Sequence, residues 1–306
     1  MPQTLTLHMI LIADSGSTKT AWCLADGKTG QGRTIQTQGI NPYHQNEEDT
    51  CAILRHELYP HIAENAADIE HIFFYGAGCT KEKSPMVANA LRNTLNSTAR
   101  ISVESDMLGA ARGLCGHHKG IVCILGTGSN SCYYDGRELH PGIPALGYIL
   151  GDEGSGAYIG RRLVSDILKC QLPEDIRQSF FMETKETEAT IIQKVYRGSF
   201  PNRYLASLSP FCHRHRKHPS IHALLIDCFS QFFMRNILPP TRTGAYPTLT
   251  VHAVGSIAYH YQDELTEAAN AHNIDIGTIV QSPLKGLLQY HTNDEHKIAL
   301  EQTKLP

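Results

Sequence analysis

Apolar residues arrive in short dense runs at the start of the chain. Met9 to Ala13 forms one and Ala21 to Ala25 another, with Asp14 and the small polar tip SGSTKT between them. The pattern predicts two strands, MILIAD and TAWCLA, and a third, RTIQT, after the turn DGKTG. Residues 47–67 carry Ile53, Leu54, Leu58 and Ile62 at helical spacing, with Pro60 late in the run. HIFFYGAG (71–78) reads as a buried strand entering a glycine turn. SPMVANALRNTL (84–95) reads as a helix with Ser84 as N-cap and Pro85 at its first position. RISVES (100–105) is a strand, and DMLGAARGL (106–114) a helix opened by Asp106.

The pattern then restarts. GIVCILGTGSNSCYYDGREL (120–139) is again strand, small polar tip, strand and turn, so that Asp14-Ser15-Gly16-Ser17-Thr18 overlays Gly126-Thr127-Gly128-Ser129-Asn130 without a gap. The offset of 112 residues suits a duplicated domain rather than a solenoid repeat. Residues 157–236 are mostly helical in pattern. TLTVHAVGSIAYHY (248–261) gives strand, glycine turn and helix, and SPLKGLLQYH (282–291) a last capped helix. The expected architecture is α/β: an N-terminal domain at 9–117, a C-terminal domain at 118–281 with a helical insertion, and a cleft on which the two tips face each other.

Composition narrows the function classes. The 306 residues are 41% hydrophobic and 19% charged, as in an ordinary globular protein, and 27 Lys plus Arg stand against 30 Asp plus Glu. That balance argues for neither nucleic acid nor an anionic membrane as partner. No apolar run approaches 18 residues, and the leader MPQTLTLH has neither a basic region nor an apolar core, so neither a membrane helix nor a signal peptide is expected. Nine scattered cysteines, odd in number and without CxxC, suit free thiols in a reducing cytoplasm.

The tips carry the candidate chemistry. Converging backbone N–H groups in a glycine-rich turn bind phosphate oxygens. Ser15, Ser17, Thr18 and Thr20 add hydroxyls and Lys19 a point charge. No P-loop spacing is present, and taken alone the tip reads as an exposed hairpin turn rather than a ligand site; its second copy reverses that preference. Asp14 is either a turn aspartate or the holder of a Mg²⁺-bound water beside a polyphosphate. Asp106 is either a helix cap or a general base for a substrate hydroxyl, which helix N–H groups would keep ionised and weak. In LGYILGDEGSGAYIG (146–160), Gly147, Gly151, Gly154 and Gly156 surround Asp152 and Glu153, which either cap a helix or face a ligand. CHRHRKH (212–218) crowds its ligand types on one turn, which suits a solvated basic face better than a zinc site.

Taken in order, DSGSTK, LGTGSN (125–130), GDEGSG and AVGS (253–256) resemble the sugar kinase/actin/heat-shock chaperone superfamily. Within it they are most similar to the BadF/BadG/BcrA/BcrD-type ATPases, which include N-acetylglucosamine kinases. The resemblance covers Met9 to His291. It implies two duplicated ribonuclease H-like (actin-like ATPase) domains flanking a nucleotide cleft, with Mg·ATP as phosphoryl donor. It places the catalytic aspartate on Asp106 and sugar contacts on Asn41, Gly78, Asp106, Thr127, Gly147 and Asp152. Phosphate contacts fall on Asp14, Gly16, Ser17, Thr18, Lys19, Gly126, Thr127, Gly128 and Ser129, adenosine contacts on Gly255 and Ser256, and Mg²⁺ on Asp14 through water. The helix at 282–291 would pack back on the first domain. A cytoplasmic kinase of an N-acetylated amino sugar follows, with N-acetylglucosamine or N-acetylmuramic acid as acceptor and the question of a homodimer left open.

Two segments depart from the animal enzymes. Their GGWGH stands here as Pro144-Ala145-Leu146-Gly147-Tyr148, and their SGG as Ala77-Gly78-Cys79, so the sugar is less defined than the phosphate machinery. The alternative from this group is an ATPase that activates a partner enzyme through a shared iron–sulfur cluster, but its CAAGTG-like cysteine loop is missing. A sugar-responsive DNA-binding regulator would need a helix-turn-helix, for which eight residues before the first strand leave no room.

Overall fold

The computed structural model describes residues 8–95, 98–248 and 250–292; apart from His8, the leader lies outside them. The chain divides into two compact units, one containing 8–117 with 282–292, the other 118–281. Each is built on a five-stranded mixed sheet.

In the first unit the strands are β1 (Met9–Ser15), β2 (Lys19–Asp26), β3 (Gly32–Gln38), β4 (Ile69–Gly76) and β5 (Arg100–Ser105). They lie in the order β3-β2-β1-β4-β5. β1–β2 and β2–β3 are antiparallel, whereas β1–β4 and β4–β5 are parallel. The second unit repeats the plan with β6 (Gly120–Leu125), β7 (Ser129–Tyr134), β8 (Leu139–Pro141), β9 (Thr250–Val254) and β10 (Asp275–Val280). Its order, β8-β7-β6-β9-β10, and its strand directions are those of the first sheet. This is the duplicated ribonuclease H-like α/β architecture that the resemblance implied.

The duplication is not gapless at the tips. Ser15 pairs with Thr20 across residues 16–19, whereas Leu125 pairs with Ser129 across 126–128. One residue fewer in the second turn breaks the straight overlay read from the sequence.

The apolar runs become strands because they are buried. Leu11, Ile12, Trp22 and Phe74 are sealed in the first unit, and Ile121, Cys123 and Leu125 in the second, where Phe229, Phe232 and Phe233 complete a larger core. The helical segment at 47–67 is broken: Glu47–Ile53 is α-helical, Leu54–Leu58 is π-helical, and a 3-10 run ends at Asp68. A second π turn, Phe233–Ile237, follows the helix Pro219–Phe232. Both π turns precede prolines, Pro60 and the pair Pro239-Pro240. A proline has no N–H and its ring crowds the carbonyl a turn earlier, so a widened turn relieves the clash. Ser84 is the first residue of its helix rather than the cap, and its N–H reaches back to the Thr80 carbonyl.

A helix at 284–292 belongs to the first unit. It lies so close to the helix Asp106–Cys115 that a Cβ on Gly286 would fall 1.8 Å from the Gly113 carbonyl oxygen. His291 anchors its far end: its Nε2 meets the Tyr75 hydroxyl at 2.9 Å, its ring stacks on Phe73, and Arg112 also donates to Tyr75.

Candidate active site

In the first unit the parallel strands end at one edge of the sheet, the edge at which α/β folds bind ligands. Asp14 sits one residue before the end of β1, Gly76 and Gly78 end and follow β4, and Asp106 follows β5. Asp14 and Asp106 lie in one desolvated neighbourhood. The carboxyl of Asp14 is pushed up to about 6 by burial and by the charge of Asp106, opposed by the Ser282 hydroxyl, which donates to Oδ2 at 3.2 Å, and by Lys19. Ser282 also accepts the Leu284 N–H, so it caps the 284–292 helix while holding Asp14.

Asp106 is not the cap of its helix. Ser105 is, accepting the Leu108 N–H, and Asp106 at the next position accepts the Met107 N–H at 2.8 Å. Protein packed closely around its carboxyl outweighs these N–H groups and raises its pKa, which overturns the expectation of a weakened base. Cys79, almost fully buried, has its thiol pushed up to about 12 by burial and by Asp106.

The first tip divides its hydroxyls. Ser15 and Thr20 were expected to offer donors, but both are buried: they bond each other at 2.6 Å, and Ser15 bonds Ile40 through both its carbonyl and its N–H. Their polar atoms fix the hairpin. Gly16, Ser17, Thr18 and Lys19 form the turn, closed by the Gly16 N–H on the Lys19 carbonyl. Asn41 approaches the same turn. Its Nδ2 donates to Ser17 and its Oδ1 accepts the Tyr43 N–H, each at 3.0 Å, which sets the orientation of the amide. Gly78 has a left-handed φ of 79° and lies against Asn41, where a Cβ would come within 2.4 Å of Oδ1. Gly39 was not singled out in the sequence, yet a Cβ there would fall 2.4 Å from the Gly16 carbonyl. Thus Asp14, Gly16, Ser17, Thr18, Lys19, Asn41, Gly78 and Asp106 share one unit and one edge of its sheet.

In the second unit the tip is Gly126, Thr127, Gly128 and Ser129, all half-exposed. The Gly126 N–H bonds the Gly128 carbonyl. Behind it, the carbonyls of Gly126 and Thr127 accept the N–H groups of Gly156 and Ala157, which start the helix Gly156–Leu168. Asp152 lies beside the tip: its Oδ1 accepts the Ser129 N–H at 3.2 Å, and a Cβ on Gly128 would sit 3.0 Å from its Oδ2. Burial raises its carboxyl, with the Ser129 N–H opposing. Neither acid of GDEGSG caps the helix; Ser155 does, accepting the Tyr158 N–H. Glu153, buried, accepts from Asn236 instead.

Gly255, at a φ of 121°, comes so near β6 that a Cβ would be 2.2 Å from the Leu125 carbonyl, and Ser256 opens the next short helix. Gly147 is not brought against this group. It opens the exposed four-residue helix Gly147–Leu150, with nothing within 4 Å of where a Cβ would stand.

The basic segment 212–218 is a solvent-facing surface, with Arg214 and Lys217 exposed, and several of its cations are paired with acids. Arg214 and His215 pair with Glu183 at 2.6 Å, Arg216 approaches Glu264 at 3.7 Å and His218 approaches Asp175 at 3.4 Å. Cys212 is fully buried, and among the described residues no group of three His, Cys, Asp or Glu is placed to hold a metal. Among them, too, no helix is long and apolar enough to cross a membrane.

Comparison with known proteins follows this geometry closely. A crystal structure from Porphyromonas gingivalis, provisionally named an N-acetylglucosamine kinase, superposes with a TM-score of 0.89 at 47% identity, covering 94% of this chain and all of that one. A curated relative from Clostridium acetobutylicum, an N-acetylmuramic acid/N-acetylglucosamine kinase, is 33% identical over 145 residues. That match spans 44% of this chain and 45% of the relative, less than half its length. A glucokinase of the ROK family from Streptomyces griseus, solved with glucose and AMPPNP, superposes with a TM-score of 0.53 at 15% identity over 94% of this chain and 98% of its own, a likeness of fold alone. No family model matches the chain.

Proposed function

The chain belongs to the N-acetylglucosamine kinase-like family of sugar kinases, and on that premise we propose that it transfers a phosphoryl group from ATP to a hydroxyl of an N-acetylated amino sugar. The observation that carries the reading is the pair Asp14 and Asp106, desolvated together beside a glycine and hydroxyl tip at the carboxyl edge of a parallel sheet. A surface turn gives no reason to set two half-buried, desolvated carboxyl groups side by side.

In this reading Asp106 accepts the proton of the attacking hydroxyl. Its raised pKa makes it a better base than a solvated carboxylate, and such a group contributes on the order of 10²–10⁴-fold. The N–H groups and side chains of Gly16, Ser17, Thr18 and Lys19 bind phosphate oxygens, and Gly126, Thr127, Gly128 and Ser129 do the same from the second unit. Because Asp152 already accepts the Ser129 N–H, Ser129 acts through its hydroxyl. Gly255 and Ser256 border the adenosine. Asn41, Gly78, Thr127 and Asp152 hold the sugar, Gly147 bordering them only through the turn it opens, and the units 8–117 with 282–292 and 118–281 serve as the two domains.

The donor set suits Mg²⁺. It is made of oxygen, and two carboxylates that repel each other are relieved by a cation, which takes its remaining ligands from phosphates and water. Asp14 would hold it through water, and the ion would neutralise the charge developing on the phosphates. All nine cysteines are free thiols, which supports a reducing cytoplasm as the place of action.

The test is coupled ADP release with Mg·ATP across N-acetylglucosamine, N-acetylmuramic acid, N-acetylmannosamine, glucose and no sugar. One N-acetylated amino sugar should raise turnover at least tenfold over the sugar-free rate. ADP released at one rate whatever the sugar would point to a partner-directed ATPase instead.

A further inference from the structure

Arg161 lies in none of the phosphate or sugar motifs. It stands on the second turn of the helix Gly156–Leu168, over the ring of Tyr158 at 4.9 Å. Its Nη1 donates to two carbonyls, Tyr148 at 2.8 Å and Ile149 at 3.0 Å, near the end of the helix Gly147–Leu150. Its charge also acts on Asp152, against that of Glu153.

The turn it grips has little else to hold it. Leu146, Ile149 and Leu150 are 53%, 67% and 71% exposed, and of the apolar side chains in the turn Tyr148 alone packs against the core. A four-residue helix closes one backbone bond of its own, from the Gly151 N–H to the Gly147 carbonyl. The chain then passes into Asp152 at a φ of 57°, a left-handed conformation that costs a non-glycine residue about 1 kcal/mol or more. Such a conformation persists where surrounding bonds hold it. Asp152 is held on one side by the Ser129 N–H and by its own carbonyl, which accepts the Ser155 N–H. Arg161 supplies the grip on the other side.

We propose that Arg161 is a positioning residue for the acceptor: it fixes the turn 146–150 and the Asp152 carboxylate in one arrangement, and thereby sets affinity for the sugar rather than for the nucleotide. This rests on the reading of Asp152 as a sugar-holding residue. Arginine suits the task because the two hydrogens of Nη1 are held in the guanidinium plane and meet two successive carbonyls, a fixed geometry that the rotating ammonium of lysine lacks.

Three groups face Asp152: the Ser129 N–H from the tip, Glu153 from its own loop and Arg161 from the helix. Glu153 is itself engaged by Asn236 and lies 3.8 Å from Arg235. Removing Arg161 takes away the one cation that lowers Asp152 against the charge of Glu153 and raises its carboxyl further, so a sugar-binding step that needs the ionised carboxylate loses its acid side at a higher pH.

The experiment measures KM for N-acetylglucosamine and for ATP in full-length wild type, Arg161→Gln and Arg161→Lys, with kcat/KM for the sugar followed against pH. For Arg161→Gln, the sugar KM should rise at least tenfold with the ATP KM within twofold, and the acid limb should move to higher pH. Arg161→Lys should bring the limb back while recovering only part of the KM, because it restores charge without the two-carbonyl grip. If Arg161→Gln does not fold, Arg161→Lys alone still has to show a several-fold rise confined to the sugar. Sugar and ATP KM rising together, or neither moving, overturns the assignment while leaving the kinase reading in place. A wild type that phosphorylates none of the amino sugars overturns both.

Discussion

The tip between β1 and β2 buries its flanking hydroxyls, while the tip between β6 and β7 leaves its residues half-exposed and receives a carboxylate. In the first, Ser15 and Thr20 bond each other, and the acids Asp14 and Asp106 stand together nearby. In the second, Asp152 bonds the Ser129 N–H, and the carbonyls of Gly126 and Thr127 cap a helix start. One sheet topology therefore serves two ends. The first unit brings two desolvated acids together, which suits the proposed proton transfer; the second sets a single acid against the backbone N–H of its tip, which suits the proposed positioning of the sugar.

The sharpest way to break that comparison is to neutralise one acid from each unit. Asp106→Asn should lower turnover by on the order of 10²–10⁴-fold, with ATP affinity by equilibrium titration nearly unchanged. Asp152→Asn should act mainly on the sugar KM. Equal losses of turnover in both variants would erase the distinction between the units.

The glycines that press against each tip come next. A Cβ on Gly255 would fall 2.2 Å from the Leu125 carbonyl and also needs a φ of 121°, whereas Gly39 is excluded only by its approach to the Gly16 carbonyl. Gly255→Ala therefore adds backbone strain of about 1–3 kcal/mol to a steric clash and should lower the melting temperature more than Gly39→Ala. Thermal denaturation of the two variants decides it.

A third difference is the stability of the first unit in acid. Burial and the charge of Arg112 push His291 down to about 3 from an ordinary 6.5, so the unfolded chain binds a proton that the folded chain does not. The stability this group supplies is complete above about 6.5 and is lost as the pH falls towards 3. Asp14 has the opposite sign: raised to about 6, it favours the fold in acid, and that contribution is lost as the pH rises through 6. Amide protection around Tyr75 and the 284–292 helix, expressed relative to the intrinsic exchange rate at each pH, should fall below pH 6.5 in wild type. His291→Gln should flatten that dependence.

The smallest effect is expected from Ser282→Ala. It removes the donor to Asp14, so the acid limb of kcat/KM for Mg·ATP, expected near pH 6, should move up with only a several-fold loss at neutral pH. An unmoved limb would mean that Ser282 merely caps its helix.

Much of the fold was legible because it rests on local signals. Dense apolar runs such as MILIAD and GIVCIL become central strands, and the repeated strand, tip and strand marks the duplicated sheet. Features set by contacts between distant segments were not legible. Nothing near Asp14 points to Ser282, and nothing near Gly147 points to Arg161. The turn of Ser15 and Thr20 toward the interior also escaped the sequence, since a hydroxyl that binds ligand and one that bonds its neighbour look alike in a string of residues. The ion pairs of the 212–218 segment failed to show for a similar reason: their acids lie on helices far along the chain.

The most direct test is to identify the product. Full-length protein would be incubated with Mg·ATP and N-acetylglucosamine or N-acetylmuramic acid, and the sugar fraction weighed by mass spectrometry for wild type and Asp106→Asn at matched ATP occupancy. A sugar one phosphoryl group heavier, formed by wild type and almost absent with Asp106→Asn, is the expected result. ADP accumulating without any phosphorylated sugar, or equal product from the Asp106→Asn protein, would contradict the assignment of Asp106 as the base of an amino-sugar kinase.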